Sequence, residues 1–292
     1  MSSQFKTIGI IGKTIDPGID QVITGISELL GQQKLKVLLE ERTATQTPSV
    51  DMESASSEQL AQACDLIIVV GGDGTMLRAA RTFCDHGIPM IGINLGRLGF
   101  LADISVNEYQ ARIEEILNGE YQVEERTLLS ATVLRDGKEI THGDALNDVV
   151  VHKLEAAHMI ETDTYINDNF VHTHRSDGII TSTATGSTAY ALSGGGPIIE
   201  PSLEAMVIVP ICPHTLSNRP IAIKSDSRVR ITMSATGRNK GQVICDGSLL
   251  HELDIGDEVL IQSKPTRLQL LHPKEYDYYQ ILRAKLHWAE HP

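Results

Sequence analysis

Five consecutive residues concentrate the chemistry of this chain: Gly71-Gly72-Asp73-Gly74-Thr75, set directly behind the apolar run Asp65-Leu66-Ile67-Ile68-Val69-Val70. The glycines let the chain turn sharply and bring backbone N–H groups close to an anion. Thr75-Met76-Leu77-Arg78-Ala79-Ala80-Arg81 continues as a helix, whose N-terminus supplies further donors and a favourable dipole. Asp73 is the only acidic residue of the five. A carboxylate inside a phosphate cradle is electrostatically unwelcome unless it handles a proton or a metal ion. The conflict points to phosphoryl transfer with Asp73 as the reactive group. An ordinary strand-to-helix turn, with Asp73 or Thr75 capping the helix, fits the same residues.

A second dense motif runs from Ser176-Asp177-Gly178 through Gly186-Ser187-Thr188-Ala189-Tyr190-Ala191-Leu192-Ser193-Gly194-Gly195-Gly196-Pro197. Its glycines and small hydroxyl residues suit close approach to a flat or polyhydroxylated ligand. Tyr190 can stack on a base or nicotinamide ring, and Thr188 and Ser193 can bond ribose or phosphate. A tight turn with Tyr190 as a core aromatic is the alternative. Asn147-Asp148 precedes the apolar Val149-Val150-Val151. Such a pair either caps a strand edge or matches a vicinal diol, since a carboxylate accepts and an amide does both. Gly12-Lys13-Thr14 resembles the end of a phosphate-binding P-loop, but Thr7 stands where that motif requires glycine. No G-x-G-x-x-G, H-E-x-x-H or G-x-S-x-G occurs.

The elements that must position these residues fall into two patterns. Thr7 to Gly12 reads as a strand, Asp16-Pro17 as a helix start, and the helix should end near Gly31, before the strand Lys36 to Glu40. Thr43 to Ser57 is polar and reads as a surface loop, and Ser56-Ser57-Glu58-Gln59 offers a capping box. The apolar run before Gly71 lacks polar alternation, as expected of a strand buried on both faces of a parallel sheet. A strand Ile88 to Asn94 follows, then a helix capped by Ser105-Val106-Asn107-Glu108 and closed by Gly119. This alternation predicts a parallel α/β domain over residues 1–120. From Tyr121 to 274 short β-rich runs replace it, with hairpin turns at Asp136-Gly137 and Asn167-Asp168-Asn169. They predict an all-β, sandwich-like domain carrying the second motif. A helix from Tyr276 to Leu286 should return to the first domain, making 275–292 part of it.

At 292 residues, 41% hydrophobic and 22% charged, the chain is globular in composition and long enough for two ordinary domains. A net charge of −13 without dense runs of Lys or Arg argues against nonspecific nucleic-acid or anionic-membrane binding. It also repels nucleotides at long range, so a nucleotide must be held by backbone donors, a few cations and a divalent metal. No signal-peptide pattern opens the chain, and no apolar stretch reaches the about 18 residues of a membrane span. Cys64, Cys84, Cys212 and Cys245 are scattered, and read as buried free thiols in a reducing compartment. These features predict a cytoplasmic protein.

The ordered set Gly71 to Thr75, Asn94-Leu95-Gly96-Arg97-Leu98-Gly99-Phe100-Leu101, Asn147-Asp148, Gly186 to Pro197 and Pro213-His214-Thr215-Leu216-Ser217-Asn218-Arg219-Pro220 resembles the bacterial NAD kinases. The first motif alone is shared with diacylglycerol kinases, sphingosine kinases and phosphofructokinases. The other four make the resemblance specific. It implies phosphorylation of the adenosine 2′-hydroxyl of NAD, with ATP as donor, Mg²⁺ as the divalent metal, and a homo-oligomer, dimer or tetramer. By position it makes Asp73 the general base, with Gly74 beside it in the loop. Asn147 and Asp148 would hold ribose hydroxyls, and Thr188, Ala189, Tyr190, Ala191, Leu192 and Ser193 would line the NAD site together with Asp177. Arg78, one helical turn beyond Gly74, can face the same ligand. His158 and Arg175 stand where the family often contacts NAD. For these last three a surface or structural role is the alternative. Four positions depart from the usual pattern: Ala184 replaces proline, Ala191 serine, Gly194 alanine, and Ser248 the glutamine that follows Asp-Gly. Two rival readings are a lipid kinase of the same superfamily and a non-catalytic dinucleotide sensor in which Asp73 only caps.

Overall fold

A computed structural model of the chain describes residues 4–13, 16, 18–96, 98–215, 217–237 and 239–288. The chain divides into two compact units, 1–125 with 268–292, and 126–267.

The first unit alternates strand and helix: β1 (Thr7–Gly12), α1 (Ile19–Gln32), β2 (Lys36–Glu40), α2 (Glu41–Gln46), β3 (Ser54–Ala55), α3 (Ser57–Ala63), β4 (Leu66–Gly71), α4 (Asp73–Phe83), β5 (Met90–Asn94), β6 (Ile104–Ser105) and α5 (Tyr109–Leu117). Its central strands run β5-β4-β1-β2-β3, every neighbouring pair parallel. Leu270, near the end of the last strand of the chain, pairs in parallel with Met90 of β5. All six residues of β4 are buried, which is why that run carries no polar alternation. Ser56 and Gln59 form the capping box of α3 with both reciprocal bonds made. Two expected helix starts are corrected. Helix α1 begins at Ile19 behind Gly18, which takes the left-handed φ of +91° as N-cap, while Pro17 lies outside the described residues. Helix α5 begins behind Glu108, and the Ser105 hydroxyl accepts the Asn107 amide instead of capping it. The stretch Thr43 to Ser57 is not a plain loop, since it holds most of α2 and β3, with Thr43 and Thr47 buried.

The second unit holds two sheets. One is antiparallel, ordered β14 (Ile221–Lys224), β13 (Ala205–Ile211), β12 (Gly178–Thr183), β9 (Asp148–Lys153), β16 (Gly241–Cys245) and β17 (Ser248–Leu253). The other contains β11 (Asn169–Ser176), β10 (Ile160–Ile166), β15 (Val229–Met233) and β18 (Glu258–Pro273, of which residues up to 267 belong to this unit), with β7 (Tyr121–Arg135) and β8 (Lys138–Ala145) joined to it. Val151, Ile179, Ile208 and Val243 from the first sheet meet Ala131, Ile160, Ile231 and Val259 from the second in one core. The opposite face of the first sheet is also covered, with Val150, Ile180 and Val207 packing on Ala184, Ala191 and Ile199. The segment between β12 and β13 forms a 3₁₀ turn (Thr185–Thr188) and the short α6 (Tyr190–Ser193). Both expected hairpins form, with Asp136, Gly137, Asn167 and Asp168 all at positive φ. Tyr278–Leu286 is helical and belongs to the first unit.

Candidate active site

In the first unit the glycine loop joins β4 to α4 with Gly72 as N-cap, so neither Asp73 nor Thr75 is the cap. Asp73 stands at the first helical position, and its carboxylate is already engaged. Oδ2 accepts the amide of Phe100 at 3.0 Å, and Oδ1 accepts those of Leu101 and Ala102 at 3.0 and 3.2 Å. A carboxylate offers about four lone-pair directions. Three are occupied, and the remaining one lies on Oδ2. Gly99 is demanded by this contact, because a Cβ there would sit 2.1 Å from Asp73 Oδ1.

The segment that donates these amides is held from both sides. Asn94 Nδ2 donates to the Ala102 carbonyl, and its Oδ1 accepts the Gly96 amide. Asp103 bonds His272 Nδ1 at 2.9 Å, and Glu124 bonds Nε2 at 3.0 Å. Burial alone would disfavour the charged ring, but these two carboxylates hold the His272 pKa above its ordinary value. Arg97, in the middle of this motif, lies outside the described residues.

Gly72 and Gly74 tell a different story. Gly72 is extended, Gly74 is helical, and a Cβ at either would meet no atom within 4 Å. Neither packing nor backbone conformation requires glycine there. Together with Gly12, Lys13, Arg42, Thr75 and Arg78 they line a cleft of about 380 Å³, with no carboxylate among the described residues of its lining. Gly12 pairs with Val70 across neighbouring strands, so the cleft opens at the carboxyl ends of β1 and β4, where parallel sheets place ligands. The set of glycine backbone, first-turn amides of α4, a hydroxyl and three cations suits phosphate groups. Arg78 is not a free ligand group, since it makes a two-pronged pair with the buried Glu40 and also bonds the Gly12 carbonyl at 3.1 Å. Thr43 ties the same network, donating to Glu40 and accepting the Gly12 amide.

In the second unit Asp246 repeats the device seen at Asp73. Asp246 and Gly247 form the left-handed turn between β16 and β17. The Asp246 carboxylate accepts the amides of Leu146, Asn147 and Asp148 at 2.9, 2.8 and 3.2 Å. The Asn147 carbonyl takes the Thr183 amide and the Ser182 hydroxyl. Gly186 packs so closely that a Cβ would lie 2.1 Å from that carbonyl oxygen. The backbone of the pair is thus fixed, while the side chains of Asn147 and Asp148 have no hydrogen-bond partner among the described residues. Asp148 is 5% exposed, and burial, reinforced by the charge of Asp246, pushes its pKa up to about 7.

The remaining expected contacts differ in availability. Tyr190 is 42% exposed, which removes the core-aromatic reading, and Ser193 is exposed beside it. Thr188 and Ala189 are half-buried, the Thr188 hydroxyl bonding the Thr185 carbonyl. Leu192 is half-buried and Ala191 is sealed in the core. Asp177 is paired with Lys153 at 2.8 Å rather than free. His158 and Arg175 are exposed, each beside a glutamate, Glu155 and Glu161 respectively. Reading the sequence missed Lys13 and Arg42 as cleft cations and Asp246 as the organiser of Asn147-Asp148. Gly12-Lys13 at the end of β1 was the available signal for the first of these.

The protein-family comparison matches residues 8–121 to the ATP-NAD kinase N-terminal domain and residues 146–272 to the ATP-NAD kinase C-terminal domain. The chain belongs to the ATP-NAD kinase family. Among relatives in this family it is 47% identical to the NAD kinase of Nitrosococcus oceani over 289 residues, 99% of each chain. It is 46% identical to that of Azotobacter vinelandii over 285 residues, 98% of this chain and 97% of the other. The fold is similar to that of an NAD kinase from Archaeoglobus fulgidus in complex with ATP, with TM-score 0.75, 25% identity, and 95% and 99% of the two chains covered. It is also similar in fold to yeast NADH kinase complexed with NADH, with TM-score 0.89 over 98% of this chain and 89% of that one. The family resemblance carried by the five motifs is thereby shown for the whole chain, and both family domains are present.

Proposed function

We propose that this member of the ATP-NAD kinase family transfers the γ-phosphoryl group of ATP to the adenosine 2′-hydroxyl of NAD, giving NADP. The observation that carries the phosphoryl-transfer half is the cleft at Gly12, Lys13, Arg42, Gly72, Gly74 and Thr75, built of backbone donors and cations with space left open by two glycines. The family assignment supplies the substrate. Catalysis of this kind is mostly positioning and charge stabilisation. In this reading the first-turn amides of α4 and the Arg42 side chain hold phosphate oxygens, joined by Lys13 when it exchanges its Asp16 partner, 2.7 Å away, for phosphate. Arg78, committed to Glu40, shapes the wall of that cleft instead of reaching into it.

Mg²⁺ fits as part of the incoming MgATP substrate, where it offsets phosphate charge. Asn147 and Asp148 accept and donate to ribose hydroxyls through their free side chains, and Tyr190 and Ser193 offer exposed surface to the dinucleotide. Asp73 takes the hydroxyl proton through the open position on Oδ2. A specific observation favours a second role for it, since its three amide bonds make it the anchor of Gly99 to Ala102. A homo-oligomer and a cytoplasmic location belong to the proposal too. Among the described residues no helix is long and apolar enough to cross a membrane and no cysteine forms a disulfide, with Cys212 exposed rather than buried as expected.

The test is incubation of the purified protein with ATP and either NAD or diacylglycerol, with Mg²⁺ or Mn²⁺. NADP read by an NADP-specific dehydrogenase, absent from a heat-killed control, is the expected outcome. Phosphorylated lipid without NADP would replace this reading by the lipid-kinase one, and nucleotide binding without either product by the sensor.

A further inference from the structure

Strand β11 carries His172 and His174 two residues apart, so both imidazoles leave the same face. In the antiparallel register His174 stands opposite Thr162 and His172 opposite Thr164. Across the next pairing Thr162 faces Met233 and Thr164 faces Ile231. Met233 and Ile231 are members of the core between the two sheets of this unit. Polar side chains therefore stand where the pattern calls for apolar ones.

Four polar atoms on this face are buried and have no hydrogen-bond partner among the described residues: His172 Nε2, His174 Nδ1 and the Oγ1 atoms of Thr162 and Thr164. Both threonines are fully buried and His174 is 3% exposed. A buried polar atom left unpaired is costly, so four together on one face mark a place built to hold something. The two rings lie close, 3.5 Å between centroids with a 38° tilt.

The second nitrogen of His174 is accounted for. His174 bonds the side chain of Asn218. Because Nδ1 is unpartnered, the partner nitrogen is Nε2. This bond orients the ring and leaves Nδ1 over, as outer hydrogen bonds do for metal-binding histidines. Partial exposure of His172 gives an entry path.

We propose that His172 and His174 form a binding site for a late first-row divalent cation, Zn²⁺, Ni²⁺ or Cu²⁺, on the inner face of β11 and β10, with Thr162 and Thr164 bonding the waters that complete its coordination. Nitrogen ligands select these ions over Mg²⁺, which prefers oxygen. The site shares no residue with the glycine-loop cleft. Its effect is to tie β11 to the Asn218 segment.

Calorimetric titration of the metal-free protein with ZnCl₂ or NiCl₂ alone tests this. One ion per chain is expected, with affinity weakened more than about tenfold by His172→Gln and by His174→Gln. His142→Gln, on exposed strand β8, should leave it unchanged. Circular dichroism establishes that each variant is folded. Should either unfold, imidazole ¹⁵N spectra of the wild-type protein decide, since Zn²⁺ must then shift His172 Nε2 and His174 Nδ1. No binding at millimolar metal, undiminished binding in both folded variants, or shifts confined to other histidines would each overturn the proposal.

Discussion

Asp73 opens helix α4 between two glycines and Asp148 opens strand β9, and their surroundings give them opposite work. Asp73 is spent largely on three amides, whereas Asp148 has its backbone fixed and its side chain unpaired. For Asp73→Asn the account predicts a kcat loss of about 10²–10⁴. It also predicts a lower melting temperature, because whichever way the new amide turns, its NH₂ meets an N–H of Phe100 or those of Leu101 and Ala102. The pH profile separates the two roles: a base requires an acid-side fall in wild-type kcat that is absent from the variant, while a pure anchor leaves both profiles parallel. For Asn147→Ala and Asp148→Ala, NAD affinity measured by calorimetry should fall roughly tenfold to a hundredfold, as for lost bonds to a charged group worth about 1.5–3 kcal/mol. Unchanged affinity in both would return the pair to strand capping. The pKa of Asp148 carries a further sign. Raised in the folded state from 3.8 to about 7, it makes the native protein bind the proton more tightly than the unfolded chain. Stability therefore falls as pH rises from about 4 to about 7, and the full penalty persists above that. Asp148→Asn should melt higher than wild type at about pH 8, with the two curves converging near about pH 4. Parallel curves would show that the carboxylate is not desolvated.

The loop between β4 and α4 and the loop after β5 act together, and glycine serves two different purposes in them. Gly99→Ala drives a Cβ into Asp73 and should destabilise by about 1–3 kcal/mol. Gly74→Ala meets nothing in the protein and should leave the melting temperature near wild type while raising the KM for ATP. A Gly74→Ala enzyme with an unchanged ATP KM would mean that no phosphate approaches there. The strand-turn-helix at Gly71 to Thr75 was legible because β4 is buried on both faces and its composition shows it. The hairpins at Asp136-Gly137 and Asn167-Asp168 were legible because left-handed turns need those residue types. What could not be read was partnership at a distance. Asp73 finds Phe100 to Ala102, and Asp246 finds Leu146 to Asp148 about a hundred positions upstream, through sheet register that no local pattern encodes. The misplaced starts of α1 and α5 have a local cause: a cap-type side chain at Ser105 was spent on a neighbouring amide, and Gly18 supplied the turn at α1.

At the scale of the whole chain, the net charge of −13 opposes the approach of ATP and NAD, and the cleft cations act only at short range. Raising ionic strength from about 0.01 M to about 0.1 M shrinks the screening length from roughly 30 Å to roughly 10 Å. The association rate of ATP should therefore increase with salt over this range. A decrease would show that Lys13 and Arg42 dominate the encounter. The central claim, transfer of one phosphoryl group to one hydroxyl of NAD, is tested most directly by ³¹P NMR of the enzyme with ATP and NAD. The account predicts that the γ-phosphate resonance is replaced, one for one with ADP formation, by a phosphomonoester on the adenosine 2′ position. Release of inorganic phosphate alone, or a monoester at any other hydroxyl, would contradict it.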